Sequence, residues 1–146
     1  MTSSTRTSNP VNDVAPPAGL LDTSAVIDLE KLLDKDAMPA RLAISAVTMA
    51  ELAAGPAAAT DSAERARRQD RLQRVESTFD PIPFGIEAAR AFGRIYSAVV
   101  DAGRKPRRRM ADLLIASVAL AEDLPLVTRN PDDFLGLEGL VTIIAV

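Results

Sequence analysis

Apolar residues fall along this chain in short blocks of two kinds, and their alternation predicts a sheet covered by helices. Gly19-Leu20-Leu21, ending in Asp22, is a compact apolar run, and Leu42–Ser45, Leu126-Val127-Thr128 and Val141–Val146 are similar. Runs this short and this continuous read as strands buried on both faces. Between them the spacing becomes helical. Helices are expected over Ser24–Leu33, over Thr48–Ala54 closed by Gly55-Pro56, and from an Asp61 or Ser62 cap to Thr78. In the last of these, Leu72, Val75 and Phe79 mark the buried side. Asp80-Pro81-Ile82-Pro83 reads as a short edge strand, because proline cannot donate to a central ladder. A longer helix over Ile86–Ala102 carries the stripe Ala88, Phe92, Ile95, Tyr96 and Val99, with Gly103 placed to cap it. One more covers Met110–Glu122, and Asn130-Pro131 makes a turn.

Strands separated by helices imply right-handed crossovers and a short central parallel sheet with helices on both faces, a three-layer α/β/α architecture. Residues 1–18, rich in Ser, Thr and Pro, are expected to form a disordered tail. They show neither the basic start nor the apolar centre of a signal peptide. Residues 19–146 are expected to form one domain, long enough for a substantial core. No apolar stretch approaches the roughly 18 residues a membrane span needs, and the absence of cysteine fits a reducing cytosol. A cytoplasmic location is therefore expected.

Against this pattern, four acids stand out. Asp22 ends the first strand, and Asp133 follows the strand at Leu126-Val127-Thr128. Glu51 aligns with Val47, Ala50 and Ala54 on the side of its helix expected to pack inward. Asp112 shares a face with Ile115, Ala116 and Ala119. Charges are rarely buried unless paired or bound to a metal, and ligands of parallel sheets bind beyond the carboxyl ends of the strands. Each acid also has a plainer reading. Asp22 can cap the following helix, Glu51 can sit in a buried ion pair, Asp112 can answer the helix dipole, and Asp133 can belong to turn chemistry.

Composition narrows the chemistry. The chain holds no histidine and no cysteine, which excludes Ser-His-Asp and Cys-His nucleophile systems and His- or Cys-built zinc sites. Carboxylate oxygens remain, and they prefer a hard cation such as Mg²⁺ or Mn²⁺. The net charge is −3, so the whole molecule is no general polyanion binder. Yet Arg104-Lys105-Pro106-Arg107-Arg108-Arg109 gathers positive charge just before Asp112. Arg107, Arg108 and Arg109 are candidate contacts for a phosphate backbone, and a solvated loop is the alternative.

The order and spacing of these segments resemble the PIN-domain ribonucleases, most closely the toxins of bacterial VapBC toxin–antitoxin pairs. Leu-Asp-Thr-Ser at 21–24 looks like the first acidic motif of that family, and Thr48-Met49-Ala50-Glu51-Leu52, closed by Gly55, like the second. Ala111-Asp112-Leu113-Leu114-Ile115-Ala116 is similar to the third, and Val127-Thr128-Arg129-Asn130 through Asp133-Phe134 to the fourth. The resemblance runs from Gly19 to the C-terminus and implies a PIN-like fold. It implies that Asp22, Glu51 and Asp112 are catalytic metal ligands with Asp133 as the fourth acid, Asn130 and Asp132 being the other candidates there. Thr23 and Thr128 would steady the cluster by hydrogen bonding. It further implies metal-dependent cleavage of RNA, a homodimer and a cognate antitoxin as inhibitor. Two alternatives stand beside it. An aspartyl phosphatase is disfavoured because position 24 is Ser, which breaks the usual Asp-x-Asp spacing. A non-catalytic PIN-like module binding RNA or protein is disfavoured because all four acidic positions are filled.

Overall fold

The computed structural model describes residues 15–146, so the expected tail lies for the most part outside the described residues. Four strands, β1 (Ala18–Leu21), β2 (Arg41–Ile44), β3 (Leu126–Thr128) and β4 (Ile143–Ala145), form one sheet in the order β2-β1-β3-β4. Every pairing is parallel. The central strands read as unbroken apolar runs because both of their faces are covered. Leu20 and Leu126 enter one core, and Leu21 and Val127 enter the other. Gly19 is required by close approach: a Cβ there would stand 2.8 Å from the Pro39 ring and 3.1 Å from Val127.

Among the described residues, six helices cover the sheet: α1 (Thr23–Ile27), α2 (Leu29–Leu32), α3 (Ala46–Ala58), α4 (Ser62–Thr78), α5 (Ile86–Asp101) and α6 (Met110–Glu122). The first four pack on the Leu21 side, and α5 and α6 on the Leu20 side. The expected three-layer α/β/α arrangement is therefore present. Local signals were reliable at several ends. The Asp61 carboxylate accepts from the Glu64 amide at 2.8 Å and caps α4. Gly103, at φ +76°, closes α5 in a Schellman motif, with Gly103 N–H on the Val100 carbonyl at 2.9 Å and Arg104 N–H on that of Val99 at 3.0 Å. The Asp80–Pro83 segment contributes a single parallel bridge, Ile82 to Ser45, as suits a proline-flanked residue beside the sheet.

Three expectations are corrected, the first two by long-range partners. The single helix over Ser24–Leu33 is two, because Asp28 leaves helical geometry (φ −103°, ψ 18°) while its carboxylate pairs with Arg129 at 3.2 Å. The helix expected to stop at Ala54 continues through Gly55-Pro56 to Ala58. Carbonyls at that end are satisfied from α4, since Arg68 donates to Gly55 O at 2.9 Å and Arg65 to Pro56 O at 3.2 Å. On α5 the buried stripe is Ala88, Ala91, Ile95 and Val99, whereas Tyr96 is 39% exposed and packs on Phe92 with ring centroids 5.8 Å apart.

Candidate active site

Parallel register builds the first half of the site. Leu21 pairs with Val127, so the next residues, Asp22 and Thr128, emerge side by side at the carboxyl ends of β1 and β3. The chain crosses to opposite sides of β1 there, making this crevice the switch point of the sheet. Asp22 is almost fully buried, at 3% exposure. Its Oδ1 accepts from Ala25 N–H at 2.9 Å, capping α1, and from the Ser24 hydroxyl at 2.7 Å. Its Oδ2 accepts from the Thr128 hydroxyl at 2.5 Å. The capping reading of Asp22 is thus correct, yet a carboxylate has about four acceptor positions, so about one remains on Oδ2.

Hydroxyl groups bind this corner together. Ser24 Oγ receives the Arg129 amide at 3.1 Å, and Thr128 Oγ1 receives the Asn130 amide at 2.9 Å. Asn130 enters through its backbone, and its exposed side chain caps nothing. Ser24 was not among the residues singled out for the site. Its only sequence signal is a hydroxyl two positions after a strand-end acid.

Glu51 overturns the expectation that it packs inward. The buried residues of α3 are Thr48 and Leu52, while Ala50, Glu51 and Ala54 are exposed. Thr48 and Leu52 take the inward side of the helix, and Glu51 and Ala54 line an open pocket with Thr23. Glu51 Oε1 is held by the Thr23 hydroxyl, which lies 3.1 Å from that of buried Thr48. Thr48 is the second residue that sequence reasoning missed.

Asp112, in the first turn of α6, is half-buried. Its pKa is pushed up from an ordinary 3.8 to about 6, first by burial and then by the charges of Asp133, Asp22 and Glu51, with Arg109 partly offsetting them. Three carboxylates drawn from three other segments therefore act on Asp112. Asp133 arrives on a 3-10 turn, Pro131–Phe134, anchored by the fully buried Phe134 ring. Asp132 on the same turn is exposed and offers its carbonyl to Arg104 at 3.0 Å.

The donor set is all oxygen and fits a hard divalent cation. Among the described residues, no three of these carboxylates converge closely enough to hold an ion with the side chains as they stand. Two of the acids are engaged by other side chains. Glu51 is drawn to Thr23, and Asp133 is ion-paired with Arg109.

Arg109 ends a second 3-10 turn, Pro106–Arg109, which leads into α6 around the buried Pro106. Beside Asp133 a groove of about 280 Å³ is lined by Arg104, Lys105, Arg108 and Arg109 over Val99, Leu113 and Leu135. Arg108 and Arg109 thus flank the cleft. Arg107 is exposed and does not line the groove.

The sequence pattern of the PIN domain matches residues 19–138. Ribonuclease VapC5 of Mycobacterium tuberculosis is 38% identical over 130 residues, which cover 88% of this chain and 93% of that protein. Ribonuclease VapC of Rickettsia bellii is 31% identical over 122 residues, covering 79% and 87%. The crystal structure of VapBC-5 from Mycobacterium tuberculosis, a member of the VapBC family of toxin–antitoxin systems, matches with a TM-score of 0.79 at 39% identity. That match covers 90% of this chain and 100% of the chain compared.

Proposed function

This chain belongs to the PIN-domain VapC ribonucleases, the toxins of VapBC toxin–antitoxin pairs, and on that premise we propose that Asp22, Glu51, Asp112 and Asp133 are its metal-holding catalytic centre. The observation that carries this is the raised pKa of Asp112, to which each of the other three acids contributes. Like charges gathered at a sheet's switch point cost stability unless something positive joins them. Mg²⁺ or Mn²⁺ meets that need and suits the donor set.

When bound, the cation supplies Lewis-acid stabilisation of the phosphate's developing charge and activates water for in-line attack. The protein's own groups do the rest. Asp22 is fixed by three hydrogen bonds and gives the centre one rigid donor. Thr23 aims Glu51, and Thr128 aims Asp22, as outer hydrogen-bond partners do at metal sites. Asp112 or Glu51 orients the attacking water, a task histidine cannot perform in a chain that has none. Asp133 is favoured over Asp132 and Asn130 as the fourth acid, because its charge raises Asp112 while the other two side chains are exposed. The cations before α6 offset the acids' repulsion of an RNA backbone.

The proposal extends to the setting of the activity. The protein acts in the cytosol as a homodimer and is held inactive by a cognate antitoxin; among the described residues no helix is long and apolar enough to cross a membrane. The test is RNA cleavage by the purified protein. Mg²⁺ or Mn²⁺ should support it, and EDTA, the Asp22→Asn substitution and added antitoxin should each stop it. Full cleavage in EDTA would overturn the metal assignment.

A further inference from the structure

The arginine-rich segment before α6 divides into two sets of side chains with different tasks. Arg104 and Arg109 are turned onto the fourth-acid turn, one on the Asp132 carbonyl at 3.0 Å and the other on the Asp133 carboxylate. Among the described residues, Lys105, Arg107 and Arg108 form no ion pair. Of these three, Lys105 and Arg108 line the groove and Arg107 does not. The groove itself is not simply a cationic surface. Its floor is aliphatic, made by Val99, Leu113 and Leu135, and Leu135 is left 47% exposed. Aliphatic carbon beside unpaired cations and next to a carboxylate of the cluster is an arrangement that a phosphate alone does not need.

We propose that this groove is a subsite for one nucleotide of single-stranded RNA adjacent to the cleaved phosphodiester, with the base on Leu135 and the Arg108 guanidinium and the phosphate on Lys105 and Arg108. The inference rests on the ribonuclease reading above and adds a base contact to it. A volume of about 280 Å³ accommodates one base and no more than its sugar. Unstacked bases are recognised on flat or apolar side chains, and guanidinium planes serve that purpose as well as aromatic rings. The occupant is identified by charge: four cationic side chains surround the groove against the single carboxylate of Asp133. Because its polar lining consists only of long arginine and lysine side chains and one carboxylate, with no fixed set of donors and acceptors matched to one base edge, the site favours the presence of a base over its identity.

The experiment uses the full chain carrying Asp112→Asn, so that RNA survives, and reads binding by fluorescence anisotropy. The probes are hexa-adenylate and an abasic hexamer with the same phosphates. The base-bearing probe should bind at least about fivefold tighter, and Leu135→Ser should shrink that ratio by about threefold or more. Replacing Lys105 and Arg108 by Ala should flatten the dependence of log affinity on log salt by about 0.7, the value for one single-strand phosphate contact. Arg107→Ala should change it less. Equal binding of the two probes, or a ratio untouched by Leu135→Ser in a variant with an unchanged melting curve, overturns the subsite. So does a salt slope unaltered by the Lys105 and Arg108 changes, particularly if those changes instead abolish binding of an acidic antitoxin segment. Wild type that binds the probes as expected but cleaves nothing in Mg²⁺ or Mn²⁺ would sink the nuclease reading and leave the subsite standing.

Discussion

Replacing Asp112 by Asn should stabilise the metal-free protein at alkaline pH while abolishing cleavage. The wild-type carboxyl has its pKa raised from 3.8 to about 6 in the fold, chiefly by burial and by Asp133, Asp22 and Glu51. A folded pKa above the unfolded one means that the folded state holds the proton more tightly, so ionisation costs stability. That cost is absent below the unfolded value, grows as pH rises from about 4 to 6, and is complete above the folded value. Taken in full, the shift corresponds to roughly 3 kcal/mol. Asp112 is only half-buried, and solvent screening reduces the figure to about 1–2 kcal/mol. An amide of the same shape carries no charge and escapes the cost. In EDTA at pH 8, Asp112→Asn should therefore melt about 3–8 °C above wild type, and the gap should close as the pH is lowered to about 4. Chemical denaturation at both pH values checks the same difference as a free energy. A mutant less stable than wild type at pH 8, or a gap independent of pH, would refute the repulsion argument.

The structure separates the acids in other ways. Asp22→Ala should cost about 2–4 kcal/mol of stability, because it removes the α1 cap and leaves the Ser24 and Thr128 hydroxyls without their acceptor. Asp22→Asn keeps one capping oxygen and should lose activity with a far smaller drop in the melting temperature, which a paired melt and cleavage assay reads directly. Thr23→Val removes the hydroxyl on Glu51 without changing shape and should lower cleavage about 10–100-fold, with about 1–3 kcal/mol of stability lost because the buried Thr48 hydroxyl loses its partner. Asp133→Asn should reduce cleavage more than Asp132→Asn, measured as initial rates on one RNA, because Asp133 faces the cluster and Asp132 is exposed.

What was legible in the sequence has a common physical character: it depends on neighbours in the chain. β1 and β3 are buried on both faces, so their apolar runs declare them. The Asp61 and Gly103 caps act within a few residues of themselves. The acids drew notice because each interrupts or follows an apolar pattern, and parallel topology alone was enough to expect them at one end of the sheet. What was illegible depends on partners far away. Asp28 breaks a helix while paired with a residue 101 positions on, and α3 outlasts Gly55-Pro56 because guanidinium groups of α4 satisfy its last carbonyls. The facing of Glu51 could not be read from a helix whose sides are all small or apolar, since Thr48, a polar residue, takes the buried position. The same holds for the arginine run. Composition shows its charge, but only the fold shows that Arg104 and Arg109 contact the Pro131–Phe134 turn.

The central claim is that these four carboxylates form one cation-dependent cleavage centre. Titration calorimetry with Mn²⁺ at pH 8, run on wild type, Thr23→Val and Asp112→Asn beside cleavage of the same RNA, tests it most directly. The account expects wild type to bind Mn²⁺ and cleave, Thr23→Val to weaken both by about tenfold or more, and Asp112→Asn to lose both together. Mn²⁺ binding that survives Asp112→Asn at wild-type affinity, or cleavage that persists without the cation, would contradict it.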